Sequence, residues 1–469
     1  MSEVLGPKAV IKEVLRSRSG LTGIIILAAL IVLSIIVVAM YPYDVVKVWN
    51  EPSAWQKYPR LAAPEWIEIF TGKKIPRNIE LSEEDFVKSS PIYVGDLKIV
   101  TLEGRFYFSY DDFPSEITLF MNLRFFEKRP YITIWFVRPD GEEIEVFSGL
   151  AQSKGSWMLP VSASSEVRDN IANWLISKNI SFKSITPHVV LFSNIDKVRE
   201  DMYEVLKSDS YDPPIPYRVK IRALMYEEGD DIDVSLTVYG KVFGVAGTDD
   251  KRRDLLIGVL WGAPIALAFG LIASIATTVV QALAGALSAW YGGKTDEVVQ
   301  RITDIYLVIP FLPILVTISF IHRLTIWNLL LVVILLSLFG TITKTARSMA
   351  FQIKEEMYVE AAISYGASKR RVLFLYIMPR VMPYVFANMV MTVPTYVFLE
   401  AALSLLGLGD PVLPTWGKLI SEAYEAGALY HGIWWWILIP AGMVILTASA
   451  FALLGYAFDK ILNPRLREQ

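Results

Sequence analysis

The 469-residue chain has no cysteine and only three histidines, His188, His322 and His431. The missing thiols exclude disulfides, thiolate metal sites and cysteine nucleophiles together. The histidines are scattered without ligand spacing, so neither a metal nor any other cofactor is expected. No basic stripe with interleaved aromatics occurs, which argues against nucleic-acid binding. The apolar stretches lack paired acids, histidine clusters and nucleophile–base sets, so no enzymatic chemistry is expected on this chain. "GGKT" at 292–295 is no phosphate loop, because Ser288 stands where the first glycine belongs and the stretch follows an apolar run instead of a strand.

What the chain has in abundance is apolar sequence. Hydrophobic residues make up 53%, and the mean hydropathy is +0.41. Several runs carry almost no charge over the roughly 20 residues that a helix needs to cross the hydrocarbon core. The first, "LTGIIILAALIVLSIIVVAM" at 21–40, follows Lys8, Lys12, Arg16 and Arg18, which places a cytoplasmic segment at 1–20. Its length predicts a retained span; the apolar region of a signal peptide is shorter. Further spans are predicted at 264–290, 304–321, 326–343, 384–406 and 433–456 within a core at 246–458. Six spans return the tail at 459–469, with Lys460, Arg465 and Arg467, to the cytoplasm. Trp434, Trp435 and Trp436 are expected at the outer interface, where indoles anchor.

Residues 41–245 read differently. Residues 41–240 carry 23 Lys and Arg against 31 Asp and Glu, a balance of −8, which against the overall −3 leaves +5 for the rest. Short alternating runs such as "ITLFMNLRFF" at 117–126 predict strands. Asp140-Gly141 predicts a hairpin turn, and "EEGDD" at 227–231 predicts a second hairpin over 217–243. Helical spacing appears at 165–177 and 197–207. The fold expected is thus an all-α polytopic membrane protein of six transmembrane helices with an inserted β-rich extracytoplasmic domain. Asn179 opens a glycosylation sequon that would suit such a face. The acidic surplus suits a partner with a basic face.

The loop at 344–383 is the most informative stretch. It reads as an amphipathic helix ending near Tyr365, a corner at Gly366 where positive φ is tolerated, a short basic helix opening at Ser368, and membrane re-entry at Pro379 and Pro383. Lys369, Arg370 and Arg371 hold it on the cytoplasmic side. In the spans, Asn388, Thr392 and Glu400 are candidate pathway-lining residues, each weighed against a role in interhelical pairing.

Glu360, Ala361, Ala362, Gly366 and Pro379 stand at the positions of the Glu-Ala-Ala, Gly and closing Pro signature of ABC importer permease subunits, with Tyr376 and Met378 departing from the usual Ile and Leu. "FGVAGTDDKRRDLLIGVLWGAPIAL" at 243–267, "YGGKTDEVVQRITDIYLVIP" at 291–310 and "LEAALSLLGLG" at 399–409 resemble the dipeptide/oligopeptide (nickel) branch of that family. The resemblance covers 243–465 well and 1–40 loosely, and leaves 41–240 unexplained. It implies a plasma-membrane permease importing peptides, with a second homologous permease, ABC ATPase subunits and an extracytoplasmic solute-binding protein as partners in the lipid bilayer. ATP would be hydrolysed on the separate ATPase, which the five signature residues would couple to transport. An oligosaccharide cargo, or a membrane-anchored solute-binding or receptor protein, are the alternatives.

Overall fold

A computed structural model describes residues 13–95, 97–180, 184–195, 203–322 and 324–462. The chain divides into two compact units, one formed by residues 1–50 with 257–469 and the other by residues 51–256.

The first unit is helical. It comprises α1 (Arg18–Met40), α2 (Leu255–Tyr291, which begins in the second unit), α3 (Gly293–Val308), α4 (Phe311–Ile321), α5 (Ile326–Leu336), α6 (Thr341–Lys354), α7 (Met357–Ser364), α8 (Lys369–Val372), α9 (Met378–Leu403), α10 (Trp416–Glu425) and α11 (Trp435–Leu462). Ser17 caps α1, its hydroxyl accepting the Gly20 amide at 3.0 Å. Among the described residues, four helices are long and apolar enough to cross a membrane: Arg18–Met40, Leu255–Tyr291, the continuous 369–408 run and Trp435–Ile461. Much of α1 faces outward with Ile25, Val32 and Ile35 exposed, as a lipid-facing helix requires. Leu30, Leu267, Val393, Val397, Phe451 and Leu454 join α1, α2, α9 and α11 in one core. Gly23 permits part of that approach, since a Cβ there would lie 2.8 Å from the Ala450 carbonyl oxygen of α11.

The predicted spans at 304–321 and 326–343 are not straight helices. α3 and α4 meet at a 76° bend, and α5 and α6 at a 46° bend. The first break falls at Ile309-Pro310, where the proline lacks an amide donor. The second falls across Ser337–Gly340. Conversely, Pro379, Pro383 and Pro394 lie within the continuous 369–408 run without breaking it. Trp435 and Trp436 are buried, so those two indoles face protein and not the interface.

The second unit is a β-sandwich whose strands among the described residues are β1 (Ile79–Leu81), β2 (Phe86–Lys88), β3 (Ile92–Val94), β4 (Leu97–Phe106), β5 (Glu116–Arg124), β6 (Tyr131–Val137), β7 (Glu143–Leu150), β8 (Gly155–Leu159), β9 (Tyr217–Met225) and β10 (Asp231–Tyr239). One sheet has the order β1-β10-β5-β8; the other runs β2-β4-β9-β6-β7 with β3 also on β4. Alternate residues of both sheets, including Val219 and Ile221 of β9, Ile232 and Val234 of β10, and Leu119 and Met121 of β5, fill one core. Each such side chain contributes about 1.5–3 kcal/mol on burial.

The predicted hairpin at Asp140-Gly141 is present, with β6 and β7 antiparallel and Gly141 at φ 90°. The predicted 217–243 hairpin is not. β9 pairs with β4 and β6, whereas β10 pairs with β1 and β5 in the opposite sheet. The polar turn therefore carries the chain across the sandwich, held by the Asp230 carboxylate accepting the Tyr226 and Glu227 amides at 3.1 Å. The predicted 165–177 helix is observed at Ser165–Ser177. Residues 197–202 of the predicted 197–207 helix lie outside the described residues, and 203–207 is extended, with Val205 bridged to Ser193. Ser181 of the sequon also lies outside the described residues.

Candidate functional site

Two features of the helical unit concern the expected site residues: an elbow at 341–379 and a cavity at the two helix breaks.

The elbow begins with α6, whose Ile342, Thr343, Ala346 and Ala350 form its buried face at helical spacing. Small residues set the seat. A Cβ on Gly285 of α2 would lie 2.2 Å from the Thr343 carbonyl, so only glycine allows α6 to lie this close. Two ion pairs clamp α6 to α3. Arg347 holds Asp296 in a fork, with Nε–Oδ1 2.6 Å and Nη2–Oδ2 2.5 Å, and Lys344 meets Asp304 at 2.5 Å. These four residues were not singled out in the sequence.

α7 then carries Glu360 in its first turn, where a carboxylate opposes the positive helix end. Glu360 and Ala361 are exposed, while Ala362 and Val359 are buried. The Glu360 carboxylate has no partner among the described residues. α7 ends in a complete Schellman turn: the Ala367 amide donates to Ala362 O at 3.0 Å and the Gly366 amide to Ile363 O at 2.9 Å. Gly366 sits at φ 82°, with nothing within 4 Å of a would-be Cβ. The expected corner is therefore required by backbone conformation and not by space. Ser368 caps α8 by accepting the Arg371 amide at 3.4 Å.

α8 passes through a π-helical turn at Leu373–Ile377 into α9, the Met378 amide donating to Leu373 O. Val359, Val372, Leu373 and Ile377 pack with Ala282, Ala286 and Ala289 of α2 and Ala346 of α6. Tyr376 stacks with Tyr358 at 6.4 Å and 28°, and Arg380 lies 5.2 Å over the Tyr358 ring. A tyrosine at the signature's Ile position thus has a local packing partner. The outer surface of the elbow is left bare: Tyr365 is 93% exposed, and Met357 and Ile363 are exposed beside Glu360.

The cavity, of about 300 Å³, lies where both helix breaks meet α2 and α9. Its polar lining comes from Thr277, Thr278, Gln281, Tyr306, Ser337, Thr341, Thr392 and Tyr396. Gln281 Nε2 donates to the freed Ser337 carbonyl at 2.7 Å. Tyr396 donates to Thr277 Oγ1 at 2.9 Å, and Thr392 Oγ1 meets Ser274 Oγ at 2.7 Å. The buried Thr278 hydroxyl has no partner.

Of the three expected pathway residues, only Thr392 borders this cavity. Asn388 turns back on its own helix, Nδ2 donating to Tyr384 O at 2.9 Å. Glu400 is 4% exposed, accepts Ser404 Oγ at 2.9 Å and is hydrogen-bonded by Thr415. The cavity residues missed in the sequence carried a signal: Thr277 and Gln281, like Thr392 and Tyr396, recur at i, i+4 inside apolar helices.

Residues 281–468 match the family described as the binding-protein-dependent transport system inner membrane component. The oligopeptide transport system permease protein OppC of Bacillus subtilis is 33% identical over 225 residues, which is 47% of this chain and 72% of the relative. The dipeptide transport system permease protein DppC of the same organism is 28% identical over 222 residues, 47% of this chain and 68% of the relative. OppC of Haemophilus influenzae is 28% identical over 244 residues, 52% of this chain and 77% of the relative.

Proposed function

Because the chain belongs to the family of binding-protein-dependent transport system inner membrane components, we propose that it imports peptides as one permease subunit of an ATP-driven transporter. The observation that carries the reading is the elbow. It packs on α2, yet it presents Glu360, Met357 and Tyr365 bare to a partner. A lever with an apolar tip and one unpaired carboxylate suits docking on an ATPase subunit that carries a basic residue in an apolar cleft. Glu360, Ala361, Ala362, Gly366 and Pro379 are its coupling residues. A second, homologous permease subunit and an extracytoplasmic solute-binding protein complete the assembly.

In this reading the two bent pairs each count as one span, giving six with both termini in the cytoplasm and the β-sandwich outside. Irregular backbone at membrane depth is tolerated where it lines a cavity, and both breaks do so. The cavity therefore belongs to the pathway through Thr278, Gln281, Thr392 and Tyr396. Neither of the other two expected residues lines it: Asn388 bonds within its own helix, and Glu400 ties that helix to Thr415 at the start of α10. The uncharged hydroxyl and amide lining matches the peptide bonds common to all peptides, and places no fixed charge against a variable side chain.

The peptide names of the relatives and this lining point to the same cargo class. Calorimetric titration of the cognate solute-binding protein with short peptides and with oligosaccharides tests it. Peptides are expected to bind; binding of saccharides alone would reject the peptide assignment.

A further inference from the structure

In the β-sandwich unit, residues 65–71 and 244–245 are welded together. The Glu65 amide donates to Gly244 O at 2.9 Å, the Gly244 amide to Glu65 Oε1 at 3.1 Å, and the Trp66 indole to Val245 O at 2.9 Å. The two acids of the turn face away from its tip. Glu68 Oε1 accepts the Ile75 amide at 3.1 Å, and Arg77 bridges Glu65 at 3.3 Å and Glu68 at 2.9 Å. What remains outward is apolar: Ile69 is 80% exposed and Phe70 78%, with Val245 exposed and Phe70 edge-on to Trp66 at 6.1 Å. Gly72, at φ 65°, stops the turn, and the exposed Lys73 and Lys74 follow.

We propose that this Trp66–Ile69–Phe70–Val245 patch, with Lys73 and Lys74, is a membrane-surface anchor that inserts into the headgroup region of an anionic bilayer. Three observations converge on lipid as the occupant. An indole beside largely exposed Ile and Phe, flanked by two lysines, with Glu65 and Glu68 turned inward and the nearby Asp111 taken up by the Lys74 amide and Lys207, is the composition of an interfacial element. The lysines complement anionic headgroups. The patch also lies at the end of the sandwich from which the chain leaves for the membrane: β10 ends at Tyr239, Val242 bridges Ala63, and α2 begins ten residues after Val245. An anchor there would fix the domain against the bilayer at a second point besides its covalent tethers.

The absence of cysteine permits a direct test on the full chain in nanodiscs. An environment-sensitive fluorophore is placed on Thr71→Cys, next to the patch, and for comparison on Gln152→Cys. Gln152 adjoins Gly155, which pairs through Leu123 with Ile232 at the opposite end of β10. In phosphatidylcholine–phosphatidylglycerol discs without any other protein, the Thr71 probe is expected to be blue-shifted and quenched by headgroup nitroxides, and the Gln152 probe to be neither. Ile69→Ser with Phe70→Ser should abolish the quenching, and Lys73→Glu with Lys74→Glu should weaken it in anionic discs only. A Thr71 probe quenched no more than the Gln152 probe overturns the anchor. So does a blue shift that lipid nitroxides do not quench, or one that appears only when the solute-binding protein is added. Quenching that ignores the lysine reversal rejects the anionic preference.

Discussion

Gly366 shows how one residue type decides a functional shape. At φ 82° an L-residue is strained, and no neighbour lies within 4 Å to add a clash. The strain is about 1–2 kcal/mol, which corresponds to roughly a 5–30-fold loss of the cornered state. Gly366→Ala is therefore expected to lower transport moderately, and Gly366→Val further because its branched Cβ tolerates positive φ least. Membrane insertion and yield should be unchanged in both. Uptake assays at matched protein levels check this; a Gly366→Val variant transporting at the parental rate would contradict it. This corner was legible in the sequence because it depends on a local rule and on the spacing to Glu360. The Arg347–Asp296 and Lys344–Asp304 clamps were not, because their partners lie 51 and 40 residues apart and no local rule links them.

At the scale of elements, periodicity identified most strands and helices but not their neighbours. β9 and β10 alternate as a hairpin would, yet enter different sheets; alternation reports which face is buried and not which strand lies alongside. Likewise the apolar runs at 304–321 and 326–343 were legible, and Pro310 marks an interruption of the first, whereas the break at Ser337–Gly340 was not, because hydropathy is blind to where a helix without proline bends. If each bent pair is one span, three single-cysteine variants report the topology. Gln152→Cys and Tyr424→Cys should react with an impermeant maleimide from outside intact cells, and Ser368→Cys only after the membrane is opened. All three positions are exposed. External labelling of the Ser368 position would break the six-span arrangement.

For the molecule as a whole, the family match covers residues 281–468, and the elbow and cavity lie within or beside it. The β-sandwich has its own core and lies outside that match, so its purpose has to be read from its surface. Composition betrayed its presence through the −8 balance and the alternating runs, whereas its Ile69–Phe70 tip became visible only once exposure was known. We propose that ATP hydrolysis drives this permease through Glu360 and its elbow. The measurement that tests it most directly is ATP-driven uptake of a labelled peptide into proteoliposomes holding both permeases, the ATPase subunits and the solute-binding protein. Wild type should accumulate peptide only with ATP. Glu360→Lys, which places repulsion against a basic dock, should lose most of that uptake while the subunit remains in the bilayer. Undiminished uptake by Glu360→Lys, or accumulation by wild type without ATP, would contradict the account.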